Sequence, residues 1–228
     1  MGMGPTLALA AVISAALDTP QGGSRARWLC EAARRVLGVD GVSLALLPRG
    51  GGARAVLAAT DETAAALEAA DDVLGMGPTY QAARSTSGVA RTDTDSPAWS
   101  GLVTLFSGAP PPTWVLAVPV LNDQVVFGTM LVHAARRESV PATEWVEEIG
   151  EAVVLMLTAR PFGEWLEPAL AAGEPTNQAV GILMVENDTN AGTALAMLRG
   201  RAFVAGIRLD EAARIVLDSP HRGRRAPG

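Results

Sequence analysis

Between Thr176 and Leu217 three apolar stripes follow one another with almost no loop between them. Ala179, Ile182 and Leu183 form the first, Leu195, Leu198, Ala202 and Ala205 the second, and Leu209, Ala212, Ala213 and Val216 the third. Spacings of three and four place each set on one face of a helix. The small alanines let neighbouring helices approach closely, so the segment can fold as a three-helix module. Histidine, cysteine, serine and lysine are absent from it. It therefore reads as a segment that binds.

Composition limits what surrounds that module. The chain has 228 residues, of which 49% are hydrophobic, enough to bury a core in one large domain or two small ones. No apolar run approaches the roughly 18 residues of a membrane span. Leu7 to Leu17 is apolar, but no positive charge precedes it, so an amphipathic helix is expected there rather than a leader. Cys30 is the single cysteine and leaves no partner for an intramolecular disulfide or a cysteine metal cluster. With His133 and His221 as the only histidines, no metal and no cofactor is expected, and the location expected is cytoplasmic. Residues 1–174 hold 11 arginines against 19 acids, whereas residues 175–228 hold 7 against 5. An acidic body with a basic end suits a nucleic-acid contact at that end.

The rest of the chain alternates between the two hydrophobic periods. Ser24 reads as the cap of a helix over Arg25 to Leu37 that Gly38 ends. Val42 to Leu47 and Ala53 to Ala59 read as a hairpin around Pro48 to Gly52. Short helices are expected over Thr63 to Ala70 and Thr79 to Arg84. A polar stretch follows from Val89 to Pro97, and Trp99 to Phe106 is helical or irregular. Trp114 to Val120 and Val125 to His133 read as a second hairpin, before a long helix over Thr143 to Ala159. The order is helix, hairpin, helices, hairpin, helix, which is an α+β pattern with an antiparallel sheet flanked by helices.

Two resemblances attach to these segments. Ala179-Val180-Gly181-Ile182-Leu183-Met184 resembles the start of an ANTAR domain, the RNA-binding module of bacterial antiterminators. The spacing continues without gaps. Asn190 falls where that family places a helix-capping Ser, Ala194, Leu195, Leu198 and Arg199 fall on the next helix, and Leu209 and Ala213 on the last. Val180 and Glu186 depart from the family, which carries basic residues there. Residues 25–158 resemble a GAF domain, a small-molecule sensor fold. The resemblance rests on Gly77-Pro78 opening the mid-domain helix, on Trp99 after an acidic loop, and on the hairpin of Pro119-Val120 and Gly128-Thr129-Met130-Leu131. GAF followed by ANTAR is a pairing of actinobacterial regulators. The expected division is an N-terminal helix and turn (1–24), a GAF-like domain (25–158), a linker or hinge (159–175), an ANTAR-like module (176–218) and a disordered basic tail (219–228). Pro175 is expected to break the helix that leads into the module.

The resemblances imply a regulator, and an enzyme is not expected, since Cys30 is the single cysteine and no GxSxG, P-loop or HExxH pattern is present. Its partners would be RNA hairpin loops in leader transcripts, an unknown small molecule in the GAF-like domain, and a second copy in a homodimer. Arg199, Arg201, Arg208 and Arg214, with Gln178, are the candidate RNA-binding residues, because a guanidinium can hold phosphate, pair with guanine or stack on a base. Arg222, Arg224 and Arg225 could add phosphate contacts. Leu44, Trp99 and Met130, with Arg91, are the candidate ligand-binding residues. Val42, Leu57, Leu105 and Ala117 are further liners, and Asp93 and Asp95 further polar groups. The competing reading is ordinary core. For the module, the competing reading is an end that has lost RNA and contacts a protein instead.

Overall fold

The computed structural model describes residues 4–20, 22–47, 53–85, 89–91, 97–106, 111–122, 125–135 and 141–219. The first hairpin loop, Asp93, Asp95 and the basic tail from residue 220 on lie outside the described residues.

An N-terminal domain is built on a five-stranded antiparallel sheet of β1 (Gly41–Leu46), β2 (Ala55–Ala59), β3 (Val89–Arg91), β4 (Trp114–Asn122) and β5 (Val125–Ala134), in the order β2-β1-β5-β4-β3. β3 is a correction to the expected polar stretch. Its three residues are too short to carry a period, and pairing with Val115 to Ala117 of β4 defines them. Pro119, which cannot donate to a ladder, sits in β4 just past the end of that pairing.

Side chains alternate across the sheet. On one face Val42, Leu44, Leu116, Val118, Met130 and Val132 join the main core. Two helices cover them, α2 (Arg25–Leu37) and α6 (Thr143–Thr158), and α1 (Pro5–Leu17) packs on both and joins the same core. Gly150 of α6 lies against Met130 so closely that a Cβ there would stand 2.9 Å from the methionine methyl. The ends of α2 are as expected. The Ser24 hydroxyl accepts from the Arg27 N–H, and Gly38 closes the helix in the left-handed region at φ 65°. On the other face Val115 and Leu131 pack with Leu67 and Ala70 of α3 (Glu62–Leu74) and Leu102 of α5 (Pro97–Leu105), and α4 (Pro78–Arg84) lies on the same side. α3 runs four residues beyond the expected end. The αL glycine that stops it is Gly75, and Asp71 and Asp72 stay inside the helix because they find buried partners.

The C-terminal module consists of the second half of α7 (Phe162–Asn187), α8 (Ala191–Ala205) and α9 (Leu209–Asp218). Ala179, Leu183, Leu195, Leu198, Ala202, Leu209, Ala212, Ala213 and Val216 form its buried core, as their spacing predicts. Asn190 caps α8 by accepting from the Thr193 N–H, and Gly206 ends it at φ 64°. Ala205 is a correction. It is exposed, since the last turn of α8 is already leaving the core when Gly206 turns the chain.

The expected break at Pro175 is also corrected. α7 is one helix from Phe162 to Asn187 and passes through both Pro168 and Pro175. A proline inside a helix loses one backbone bond and crowds the carbonyl four residues back. Local chemistry therefore argues for a break, but α7 is held by what lies beside it. Leu166 packs on the main core, α7 crosses β2, and its far half packs against α8 and α9. That crossing also covers the outer edge of the sheet, where β2 would otherwise offer unpaired backbone groups.

Candidate functional site at the seam between the domains

The module shares its core with the N-terminal domain. Val73 of α3 is buried among the module's leucines and alanines, and Ala53 and Leu105 pack against the same cluster. A polar network lies beside this apolar contact. Arg54 enters from the start of β2 and is almost fully buried. Its Nη2 is 2.7 Å from Glu68 Oε2 and 3.0 Å from Asp72 Oδ1, and its Nη1 donates to Thr79 Oγ1 at 2.5 Å. Glu68 accepts from the Ser43 hydroxyl of β1 at 2.6 Å. Asp71 accepts from the Thr79 N–H at 3.0 Å and from its hydroxyl, and so holds the first turn of α4. Gly77 makes room for this carboxylate, because a Cβ there would fall 1.2 Å from Asp71 Oδ1.

Spacing explains how the sequence assembles the cluster. Glu68, Asp71 and Asp72 stand three and four apart, on one face of α3. The Gly75-Met76-Gly77-Pro78 turn then folds α4 back so that Thr79 and Tyr80 meet that face. Burial would discharge Arg54, but Glu68 and Asp72 beside it outweigh that and keep the guanidinium charged. Asp71 has no cation of its own. Burial pushes its carboxyl up to about 7, against the pull of Arg54 and the Thr79 hydrogen bonds.

Tyr80 connects the network to the module. Its hydroxyl donates to Asp72 Oδ1 at 3.2 Å and accepts from Arg199 Nη2 of α8 at 2.6 Å. The guanidinium carbons of Arg54 and Arg199 stand 4.6 and 5.0 Å from its ring centroid, within cation–π range. Arg199 Nε donates to the Asp72 carbonyl at 2.9 Å. Gly75 lies under this guanidinium, and a Cβ there would meet Arg199 Nη1 at 2.8 Å.

The sequence-predicted residues fall in three places. Arg199 belongs to the seam. Arg201 is exposed on α8. Arg208 and Arg214 flank Asp210 of α9, at 3.0 and 3.4 Å, and Gln178 donates to Glu174 along α7 at 3.0 Å. Arg208 and Arg214, together with Arg54, Asp72, Gly173 and Thr176, line a cleft of about 300 Å³ between β2, α3, α7 and α9. Leu44 and Met130 are paired neighbours in β1 and β5, buried on the face that α6 covers, so the sheet itself separates them from the polar network. Val42 shares that face, Leu57 is partly buried beside it, Ala117 is buried in β4 and Leu105 packs at the seam. The side chains of Arg91 and Trp99 lie outside the described residues.

Two further groups bear on chemistry. Cys30 is buried in α2, and burial pushes its thiol up to about 12, which suits a small core residue. Asp61 caps α3 through the Ala64 N–H and meets His133 Nε2 at 3.1 Å. Burial would raise this carboxyl, but the hydrogen bonds from His133 and Ala64 hold it below its usual range. Among the described residues no three His, Cys, Asp or Glu side chains gather as metal ligands, and no helix is long and apolar enough to cross a membrane.

Among protein families, the GAF domain matches residues 24–160. No curated protein resembles the chain closely enough to count as a match. Similar solved structures include the GAF domain of a phosphoenolpyruvate-protein phosphotransferase from Coxiella burnetii, at 14% identity and a TM-score of 0.46, covering 75% of this chain and 98% of that one. The GAF domain of the Acinetobacter phosphoenolpyruvate-protein phosphotransferase follows at 11% identity and a TM-score of 0.44, covering 68% and 97%. The chromophore-binding domain of a bacteriophytochrome from R. palustris is similar at 10% identity and a TM-score of 0.35, covering 68% and 60%.

Proposed function

The chain belongs to the GAF domain family, and on that premise we propose that it is a transcription regulator whose signal-sensing domain governs an ANTAR-like RNA-binding module. The module binds hairpin loops in nascent transcripts and favours the form that lets polymerase read on. It works as a cytoplasmic homodimer without a catalytic step. The observation that carries this reading is the shared seam. A sensor domain and a three-helix module bury residues in one cluster and are joined by hydrogen bonds from Arg199, so a shift in the sensor reaches the module.

Arg201, Arg208 and Arg214 support the RNA-binding half of the proposal. The first is exposed, and the other two are 58% and 62% exposed, each holding a surface pair with Asp210. Pairs of that kind are worth about 1 kcal/mol or less and yield readily to a phosphate. Val180 now has a physical account. It is buried in the module's core, where an arginine would need a partner.

The test is binding of a synthetic two-hairpin leader RNA to the full chain and to Arg201→Ala/Arg214→Ala. The double change should weaken binding about tenfold or more and flatten the salt dependence by one to two counterions, roughly 0.7 in slope for each phosphate no longer neutralised. Absence of salt-sensitive binding at micromolar protein, both in the wild type and in Tyr80→Phe, which removes a seam acceptor for Arg199, would reject the RNA reading. In that event the module's exposed apolar side chains favour the competing partner, another protein. Val185 is 79% exposed, Val204 87% and Ile215 59%.

A further inference from the structure

One arginine stands at the meeting of two demands. We propose that the α3–α4 corner of the sensor domain is a docking surface for α8 that competes with RNA for Arg199, so the closed seam holds the module in a low-affinity state. The inference rests on the RNA-binding reading of the module.

The contacts Arg199 makes at the seam are those by which an arginine reads RNA. Its Nε and Nη2 form a two-pronged grip on the Asp72 carbonyl and the Tyr80 hydroxyl, and its guanidinium carbon stands 5.0 Å from the Tyr80 ring centroid. A guanidinium pairs with guanine through the same fork and stacks on an unpaired base through its planar face. It cannot do both at once. Arg201, two residues on, is exposed in the closed state, so weak electrostatic attraction to RNA persists while the specific contact is withheld. The apolar half of the contact is Val73, buried among the module's side chains.

The corner is also tied to the sheet. Ser43 in β1 donates to Glu68, Glu68 pairs with Arg54, Arg54 lies over Tyr80, and Tyr80 accepts from Arg199. A displacement of α3 or α4 moves the acceptors at Asp72 and Tyr80 away from Arg199 and releases α8. RNA affinity then follows the fraction of molecules with the seam open.

Two changes on the sensor side test this in the full chain while leaving every arginine of the module in place. Tyr80→Phe removes the acceptor for Arg199 Nη2 and keeps the ring. Gly75→Ala places a methyl within 2.8–3.1 Å of the Arg199 guanidinium. Seam opening is read as the distance between spin labels on Glu62→Cys and Thr193→Cys, both exposed positions. Affinity is read with the synthetic two-hairpin RNA. The expected result is a longer label distance and binding tighter by about fivefold or more, within the usual range of coupling between sites. Adding Arg199→Ala should abolish the gain. An unchanged distance in both variants overturns the inference, as does a longer distance with unchanged or weaker RNA binding. If the wild type and both opened variants all fail to bind the RNA, the RNA reading falls and the inference with it. Binding by the wild type with no gain on opening overturns the inference alone.

Discussion

Replacing Arg54 with methionine should lower the unfolding free energy by about 3–5 kcal/mol, the usual cost of removing one partner from a buried ion pair. Arg54 is the only cation that touches both Glu68 and Asp72 among the described residues, and it also holds Thr79 Oγ1. Methionine fills much of the volume but leaves the nearly inaccessible Glu68 carboxylate facing only the Ser43 hydroxyl. Adding Glu68→Gln should restore part of the loss, because the uncompensated charge, rather than the missing attraction, dominates the cost. Urea denaturation of the two variants and the wild type measures both effects. A loss below about 1 kcal/mol for the single change would mean that the network adds little to the fold. A fall in the denaturant slope as well as the midpoint would show that the seam opens before the domain unfolds.

What could be read from the sequence was whatever depends on near neighbours. The caps at Ser24 and Asn190 and the αL Gly38 are local chemistry, and they stand where the sequence predicts. The stripes from Ala179 to Val216 are periodic and emerge as the module's core, apart from Ala205 at its fraying end. The continuity of α7 is different. Pro175 speaks locally for a break, and only packing against β2, α8 and α9 outweighs it. Leu44 and Met130 show a related gap. Period-two alternation separates two faces of the sheet, but which face meets α6 is a matter of topology. Of the polar network only Arg199 stands out in the sequence, and as an RNA contact, since Ser43, Arg54, Tyr80 and Arg199 are far apart in the chain. One signal for it was present. Three acids on one face of α3 look solvated until the Gly-Met-Gly-Pro turn behind them is read as folding a second helix onto that face.

The protein should lose stability as pH rises from about 4 to about 7, and Asp71 is the reason. Its carboxyl sits at about 7 in the fold against an ordinary 3.8, raised first by burial. Between those values the folded chain keeps a proton that the unfolded chain has released, so each step up in pH favours unfolding. Below the lower value both states are protonated and above the upper one both are ionised, so the dependence is confined to that window. Its full size is on the order of a few kcal/mol. The charges facing Asp71 are Arg54, which opposes the shift, and Glu68, which adds to it. Asp61 acts elsewhere, because its lowered carboxyl contributes stability that is lost only as pH falls below about 3.8. Glu151, raised by burial and by Glu147 and Glu148 beside it, adds a slope of the same sign, but it is exposed to solvent and the addition is small. Asp71→Asn keeps an oxygen to accept from Thr79 and removes the ionisation. The variant should unfold at nearly the same urea concentration at pH 5 and pH 8, and should exceed the wild type at pH 8. A wild type equally stable at both values would sink this account of Asp71. An Asp71→Asn variant that retained the wild-type slope would place the titrating group elsewhere in the network.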